Sequence, residues 1–171
     1  MKNNERLYLD CFEKYSKALK LDPYIDFIYT GWGNALYKLE IIKNDKHLFL
    51  ESFEKFKLAT KLNPTDMIAY YYWGEAFFCL AKMEQDKKLY HEAMEKFEKA
   101  AELDVDNKLN LYYMACSYAV VGNKIAALNI LTNVLEKSYV KAEYVLLDEY
   151  WKSCKDEDEF KNLMKKIDEQ I

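Results

Sequence analysis

One block of sequence recurs three times along this chain, and each copy is displaced by 41 residues from the one before. The copies read FEKYSKALKLDP at 12–23, FEKFKLATKLNP at 53–64 and MEKFEKAAELDV at 94–105. An aromatic residue, an alanine and a leucine stand three positions apart in each copy, so they fall on one side of a helix. Proline ends two of the copies, and the residue before proline is pushed out of the α region. A repeat of this period predicts stacked helical units.

A second stretch repeats with the same displacement. It reads WGNALYKL at 32–39 and WGEAFFCL at 73–80, and LYYMACSYAVVG at 111–122 is a third copy without Trp-Gly. Each period therefore contains two helices. A glycine inside a helix costs about 1 kcal/mol relative to alanine. We expect Gly33 and Gly74 to allow adjacent helices to approach closely, and Trp32 and Trp73 to fill the space between hairpins.

Composition agrees with an all-helical domain. Of the 171 residues, 51% are apolar and 32% charged, which is typical of a globular chain. Only two prolines and four glycines are present, which is too few for the many turns of a β-protein.

The two alternating helices resemble the tetratricopeptide repeat over about residues 5–140. The small residues of that repeat correspond here to Gly33, Gly74 and Ala115, to Cys11, Ser52, Ala93 and Ala127, and to Ala18, Ala59 and Ala100, with Val134 as an enlarged variant. The proline of that repeat corresponds to Pro23 and Pro64, and then to Val105 and Tyr139. The resemblance implies an all-α, right-handed α-solenoid of stacked antiparallel helix hairpins, with about eight or nine helices.

We divide the predicted single domain, residues 1–171, into five parts. These are an N-terminal half repeat at 4–23, repeats at 24–64, 65–105 and 106–139, and C-terminal capping helices at 140–171. The first two full repeats exceed the 34-residue family unit by seven residues, inserted between their two helices. Because seven residues make about two helical turns, we expect one extra turn in each helix, with the chain reversing near Asn44-Asp45 and Gln85-Asp86. A flexible seven-residue loop is the alternative.

Both ends of the array depart from the repeat. The first helix, at about 4–21, has no preceding partner, so we expect Leu7, Cys11 and Tyr15 to be partly exposed. In the tail, the spacing of Leu146, Leu147, Tyr150 and Trp151 predicts one amphipathic helix. The acidic run 156–159 predicts the start of another, because carboxylates favour a helix N-terminus. Its apolar stripe would be Phe160, Leu163, Met164 and Ile167.

The sequence contains no recognisable catalytic motif, so we predict that the protein is not an enzyme and binds no cofactor or metal. His47 and His91 occupy different positions within the repeat, and the four cysteines form no Cys-x-x-Cys pair. A net charge of −4 with interspersed signs argues against nucleic acid as a ligand. The absence of a signal peptide and of a membrane-spanning run predicts a cytoplasmic protein.

In tetratricopeptide proteins the first helices of the repeats line a concave groove that binds peptides. The resemblance places in that groove, from the first full repeat, Phe27, Thr30, Asn34, Tyr37 and Lys38; from the second, Ile68, Tyr71, Tyr72, Glu75, Phe78 and Cys79; and from the third, Leu109, Tyr112, Tyr113, Cys116 and Ala119. Tyrosine combines an apolar ring with a polar tip, a composition enriched at interfaces. Some of these aromatic residues could instead pack between neighbouring helices.

The cationic clamp with which co-chaperone members of the family hold a chaperone terminus is absent, since only Asn34 matches it. We therefore predict a scaffold or adaptor that binds a peptide or helix of a partner protein in the groove. Two alternatives remain. One is a self-assembling structural module, which would form a homo-oligomer through the first helix, and the other is a small secretion chaperone of the same repeat class.

Overall fold

The computed structural model describes residues 2–44, 46–104 and 107–169, with side chains from residue 5 onward. Its helices are α1 (Lys2–Leu21), α2 (Asp26–Lys43), α3 (His47–Leu62), α4 (Met67–Glu84), α5 (Lys87–Leu103), α6 (Lys108–Val121), α7 (Lys124–Glu136), α8 (Ala142–Leu147), a 3₁₀ turn (Glu149–Trp151) and α9 (Asp158–Asp168). The described residues include no strand. The predicted all-α solenoid is confirmed: α2–α3, α4–α5 and α6–α7 form hairpins that stack in chain order, after the lone helix α1.

The inserted residues lengthen the helices of the first two hairpins. Helices α2 and α4 have 18 residues each and α6 has 14, while α3 and α5 have 16 and 17 and α7 has 13. The difference is about one helical turn per helix, as expected, and the alternative of a flexible loop is wrong. The two long hairpins therefore extend beyond the short one.

The chain reverses where the sequence predicts. Asn44 and Gln85 end α2 and α4 in the left-handed conformation, with φ near +55°, and their backbone N–H groups bond to carbonyls four residues back. At the other end of the hairpins, side chains of Asp66 and Asn107 accept bonds from Ala69 N and Asn110 N and so begin the next helices. Asp45, predicted at the first turn, and Val105, the counterpart of the repeat's proline, lie outside the described residues.

Both Trp-Gly pairs are packing devices, as expected. A Cβ atom on Gly33 would lie 2.8 Å from Phe56 Cε1, and one on Gly74 would lie 2.6 Å from Phe97 Cδ1. Real Cβ atoms essentially never make contacts this short, so only glycine allows α2 to pack this closely on Phe56 and α4 on Phe97. Trp73 stacks on Phe56 of the preceding hairpin, with ring centroids 6.5 Å apart.

Trp32 makes the corresponding contacts one repeat earlier. Its ring lies 6.1 Å from that of Tyr15 in α1, and the ammonium of Lys55 lies 4.1 Å from the tryptophan ring centroid. Lys96 covers Trp73 in the same way at 4.8 Å. Each tryptophan thus joins its own hairpin to the preceding helix.

The tail corrects one prediction. Residues 142–151 do not form a single amphipathic helix, because α8 ends at Leu147 and a 3₁₀ turn follows. Asp148 causes the break: its carboxylate accepts from Tyr150 N and from the hydroxyl of Tyr112 on α6. Leu147 is consequently exposed, while Trp151 is fully buried.

Helix α9 follows its prediction. It begins within the acidic run, with Asp158 and Glu159 in its first turn. Its four apolar residues Phe160, Leu163, Met164 and Ile167 are all buried in the C-terminal half of the core. The first helix is open at its outer side, where Leu7 is 61% exposed and Leu21 is 89% exposed.

Candidate protein-interaction surface

The first helices of the three hairpins, α2, α4 and α6, lie next to each other in the stack, and we call their common exposed side the A-helix face. Two hydrogen bonds align the starts of the first two hairpins. Thr30 Oγ1 on α2 donates to Asp66 Oδ2, before α4, over 2.7 Å. Asn63 Nδ2, at the end of α3 and just before that turn, donates to Asp26 Oδ2 at the start of α2 over 2.7 Å. The predicted groove residues of consecutive hairpins are thereby brought side by side.

Glu75 is the central charge of this face. The hydroxyl of Tyr37 on α2 donates to Glu75 Oε2 over 2.6 Å, and Lys38 Nζ lies 4.0 Å from the same oxygen. Burial raises the pKa of Tyr37 far above its usual value, and the negative charge of Glu75 raises it further. The phenol therefore remains a hydrogen-bond donor to the carboxylate at every physiological pH.

Half-buried tyrosines surround Glu75. The ring of Tyr71 lies 5.2 Å from that of Tyr72 and 6.5 Å from that of Tyr113, measured between centroids. Burial, followed by the charge of Glu75, raises the pKa of Tyr113 to about 12 and that of Tyr71 beyond it. These hydroxyls stay protonated, so the surface offers aromatic rings together with neutral donors.

Asn34 lies on the same face with an unused polar atom. Its Oδ1 is buried and has no hydrogen-bond partner among the described residues. Leaving a buried acceptor unpaired costs about 1–3 kcal/mol. The residue as a whole is partly exposed, so an outward turn of its side chain would bring Oδ1 to an incoming donor.

The predicted groove residues fall into three groups by exposure. Phe27, Ile68 and Leu109, the second residue of each A helix, are 68%, 50% and 52% exposed. Half-buried side chains form the middle of the face: Asn34, Lys38, Tyr71, Tyr72, Glu75, Cys79, Tyr112 and Tyr113. Thr30, Tyr37, Phe78, Cys116 and Ala119 are buried.

The structure corrects the expectation that this last group lines an open surface. Thr30 and Tyr37 are covered because each bonds to the next hairpin. Phe78 is covered by the tail: the Tyr150 ring meets it edge-on, with centroids 4.8 Å apart. Cys116 lies beneath the same segment, where burial and then the charge of Asp148 raise its pKa well above the usual value.

Sequence reasoning missed the contribution of the tail to this face. Tyr112 OH donates to Asp148 Oδ2 over 2.8 Å, and Trp151 Nε1 donates to the Tyr112 oxygen over 3.4 Å. Glu149 Oε1 lies 2.8 Å from Lys82 Nζ on α4. The only signal in the sequence was the acidic and aromatic run DEYW itself, which has no counterpart in the repeats.

A metal-ion cluster and a membrane-spanning helix are both absent from the described part of the chain. Within residues 2–44, 46–104 and 107–169, no three His, Cys, Asp or Glu side chains gather in a group able to hold a metal ion. Over the same ranges, no helix has both the length and the apolar composition that crossing a bilayer requires.

Comparison with known proteins identifies solved structures with a similar fold but no family to which the chain belongs. No family model and no curated protein matches the chain. Among solved structures, a crystal structure of MamA is 22% identical with a TM-score of 0.65, covering 91% of this chain and 84% of that one. A second MamA structure is 21% identical with a TM-score of 0.66, covering 99% and 93%.

A third solved structure, YrrB, is described as a TPR protein with an unusual peptide-binding site. It is 13% identical with a TM-score of 0.37, covering 91% of each chain. The likeness to MamA shows that the chain has a tetratricopeptide-like solenoid fold.

Proposed function

We propose that this protein is a non-enzymatic scaffold that binds a linear segment of a partner protein along the open part of its A-helix face. The binding residues would be Asn34, Lys38, Tyr71, Tyr72 and Glu75. The exposed Phe27 and Ile68 lie toward the starts of the same two helices. Buried and covered positions of the predicted groove, such as Phe78, would support this surface without touching the partner.

The unpaired amide oxygen of Asn34 carries the proposal. A buried acceptor without a partner among the described residues calls for an explanation, and a ligand that supplies the missing donor is one. An extended peptide supplies backbone N–H donors at regular intervals, and one of these would satisfy Asn34 Oδ1 once that side chain turns outward. Lys38 and Glu75 beside it offer one charge of each sign, and Tyr72 adds an aromatic surface, so the site suits a mixed polar and apolar peptide rather than a uniformly charged one.

Site-specific photocrosslinking tests the proposal. A photoreactive phenylalanine analogue placed at Tyr72 should capture a protein from an extract of the host, which mass spectrometry then identifies. The same analogue at Lys57, exposed on α3, is the matched control and should not capture it. The purified partner should then bind the Asn34→Ala and Lys38→Glu variants about tenfold more weakly by calorimetry, a loss of about 1.4 kcal/mol. Unchanged affinity in both variants would remove the A-helix face as the binding site.

Self-association through α1 is the second candidate, and the exposure of Leu7 and Leu21 favours it. The two residues are 14 positions apart, so they lie within one stripe of the helix. A Leu7→Glu, Leu21→Glu variant should sediment as a smaller species than the unaltered chain at high micromolar concentration. If the unaltered chain is itself a monomer there, self-association through this stripe is excluded.

A further inference from the structure

The tail crosses the end of the A-helix face and reaches an element that it would not contact in a regular stack. In a solenoid each unit touches its neighbours. Tyr150 follows the third hairpin, yet its ring packs on Phe78 in the second, and Glu149 pairs with Lys82 there. The ammonium of Lys82 also lies 5.3 Å from the Tyr150 ring centroid.

The unequal hairpins explain this contact. Because α4 and α5 are each about one turn longer than α6 and α7, their far end extends past the third hairpin and leaves a recess. We call this recess the step and define it by Phe78, Lys82, Tyr90 and Val120. Glu149 and Tyr150 lie in it, and about 260 Å³ of space remains beside them.

The chemistry of the step is specific. Phe78 and Tyr90 form an aromatic wall, with rings 5.2 Å apart at nearly right angles, which accepts a third ring edge-on. Lys82 and Lys87 supply positive charge at the rim. An acidic residue followed directly by an aromatic one fits this arrangement, as Glu149-Tyr150 does.

We infer that the step is a binding site for an acidic-aromatic pair in a linear segment of a partner protein, and that Glu149-Tyr150 occupies it in cis until such a segment displaces it. This inference rests on the proposed scaffold function, whose surface it extends from α2 and α4 to the far end of α4.

The internal occupant is held in a way that permits exchange. The side chains of Lys82 and Glu149 are more than half exposed, so their ion pair contributes little. The preceding helix α8 is six residues long and leaves Leu147 83% exposed. Trp151, in contrast, is fully buried against Phe160, with ring centroids 6.0 Å apart, and anchors the chain just beyond the pair. Release of Glu149 and Tyr150 breaks the Tyr150 N–Asp148 bond and the 3₁₀ turn, while Trp151 keeps the C-terminal core folded.

A peptide-binding experiment tests the inference on the full chain. The probe is a fluorescent peptide with the sequence of residues 146–153, LLDEYWKS, followed by anisotropy. A Glu149→Ala, Tyr150→Ala variant empties the step and should bind the peptide at least tenfold more tightly than the unaltered chain. Adding Lys82→Glu to that variant should abolish the gain. Leu147→Ala, next to the pair but outside the step, is the matched control and should behave like the unaltered chain.

Two results would overturn the inference: equal affinity for the unaltered and emptied chains, or no binding to an emptied chain that circular dichroism shows to be folded. If the double variant fails to fold, Glu149→Ala alone keeps Tyr150 in place and should give a smaller gain of the same sign. Photocrosslinking at Tyr72 does not involve the step. Loss of the peptide effect with crosslinking intact would therefore reject this inference and leave the scaffold function standing.

Discussion

At the scale of single residues, glycine in the Trp-Gly pairs exchanges helix propensity for close packing. Gly74 forgoes about 1 kcal/mol of propensity relative to alanine, and in return the Phe97 ring lies directly on the helix backbone. The ring is fully buried and cannot move aside without disturbing its neighbours. The cost of a methyl group here is therefore set by the core and not by the helix.

We accordingly expect Gly74→Ala to lower the free energy of unfolding by about 1–3 kcal/mol, because overpacking outweighs the gain in propensity. Urea unfolding measures this. Gly31→Ala is the control: its Cβ would meet only the hydroxyl end of Tyr15, at 2.9 Å, on a half-buried side chain that can shift. That variant should be neutral or more stable, and a destabilisation equal to that of Gly74→Ala would contradict the packing explanation.

Cys79 provides a prediction on pH. Burial, followed by the charge of Glu75, raises the pKa of this thiol from 9.0 to about 11. Its thiolate fraction near pH 8.5 is then about 100-fold lower than that of an ordinary thiol, and only the thiolate reacts with iodoacetamide. Alkylation of Cys79 in the folded chain, followed by mass spectrometry, should rise about tenfold per pH unit at first and reach half its maximum rate only near pH 11.

Cys79 in the urea-unfolded chain supplies the reference, and its alkylation rate should be half-maximal near pH 9. A Glu75→Gln variant should react faster than the unaltered chain, but only partly so, because burial is the larger cause. The direction of the pKa shift also determines how the stability of the fold changes with pH. A thiol whose pKa is raised by folding stabilises the fold below pH 9, and that contribution is lost as pH rises through 11.

At the scale of elements, the chain reverses direction in the two long hairpins at equivalent positions, which carry residues that differ in how well they adopt the required backbone conformation. Asn44 and Gln85 stand 41 residues apart, and both adopt the left-handed conformation. Asparagine tolerates that conformation, whereas a longer side chain pays about 1–2 kcal/mol for it. Gly122 ends α6, the first helix of the short hairpin, in the same way, with φ at +96°, and glycine is the residue best suited to this position.

We expect Gln85→Gly to raise the free energy of unfolding by about 0.5–1 kcal/mol, and Asn44→Gly to change it by a few tenths at most. Thermal or urea unfolding of the two variants makes the comparison within one protein. A loss of stability in Gln85→Gly would mean that its side chain contributes more than its backbone conformation costs.

Elements that depend on local signals could be predicted from the sequence, and those that depend on distant contacts could not. The repeat predicts the hairpins, their lengths and the close approach of helices at Gly33 and Gly74, since each of these follows from periodicity and side-chain size. The end of α8 at Leu147 depends on a bond between Asp148 and Tyr112, 36 residues apart, which leaves no mark on local propensity.

The candidate site also contains features that local sequence signals predict and features that depend on distant contacts. The repeat phase predicts that Asn34, Tyr71 and Glu75 share one face. It could not show that Phe78 is buried, because the residue that covers it, Tyr150, belongs to a segment outside the repeats.

At the scale of the whole molecule, a solenoid has a stability that varies along the chain. Each hairpin is stabilised by its neighbours, so the central hairpin α4–α5, packed on both sides, should open least often. The first helix packs mainly against α2 and has its outer stripe in solvent. Native-state hydrogen exchange should find the slowest amides in α4 and α5, and exchange at least about tenfold faster in α1.

Two equivalent alanines make this expectation sharper. Ala18 of α1 and Ala100 of α5 occupy the same position in the repeat, but only Ala100 is fully buried in the core. Changing either to glycine removes about 1 kcal/mol of helix propensity. Ala18→Gly should speed exchange in α1 and leave α6 and α7 unaffected, because α1 can open alone. Ala100→Gly should speed exchange on both sides of α5, since separating the central hairpin exposes the flanks of two others. If both variants altered exchange uniformly along the chain, the array would unfold as one cooperative unit, and the step between α4 and α6 would be as rigid as the core.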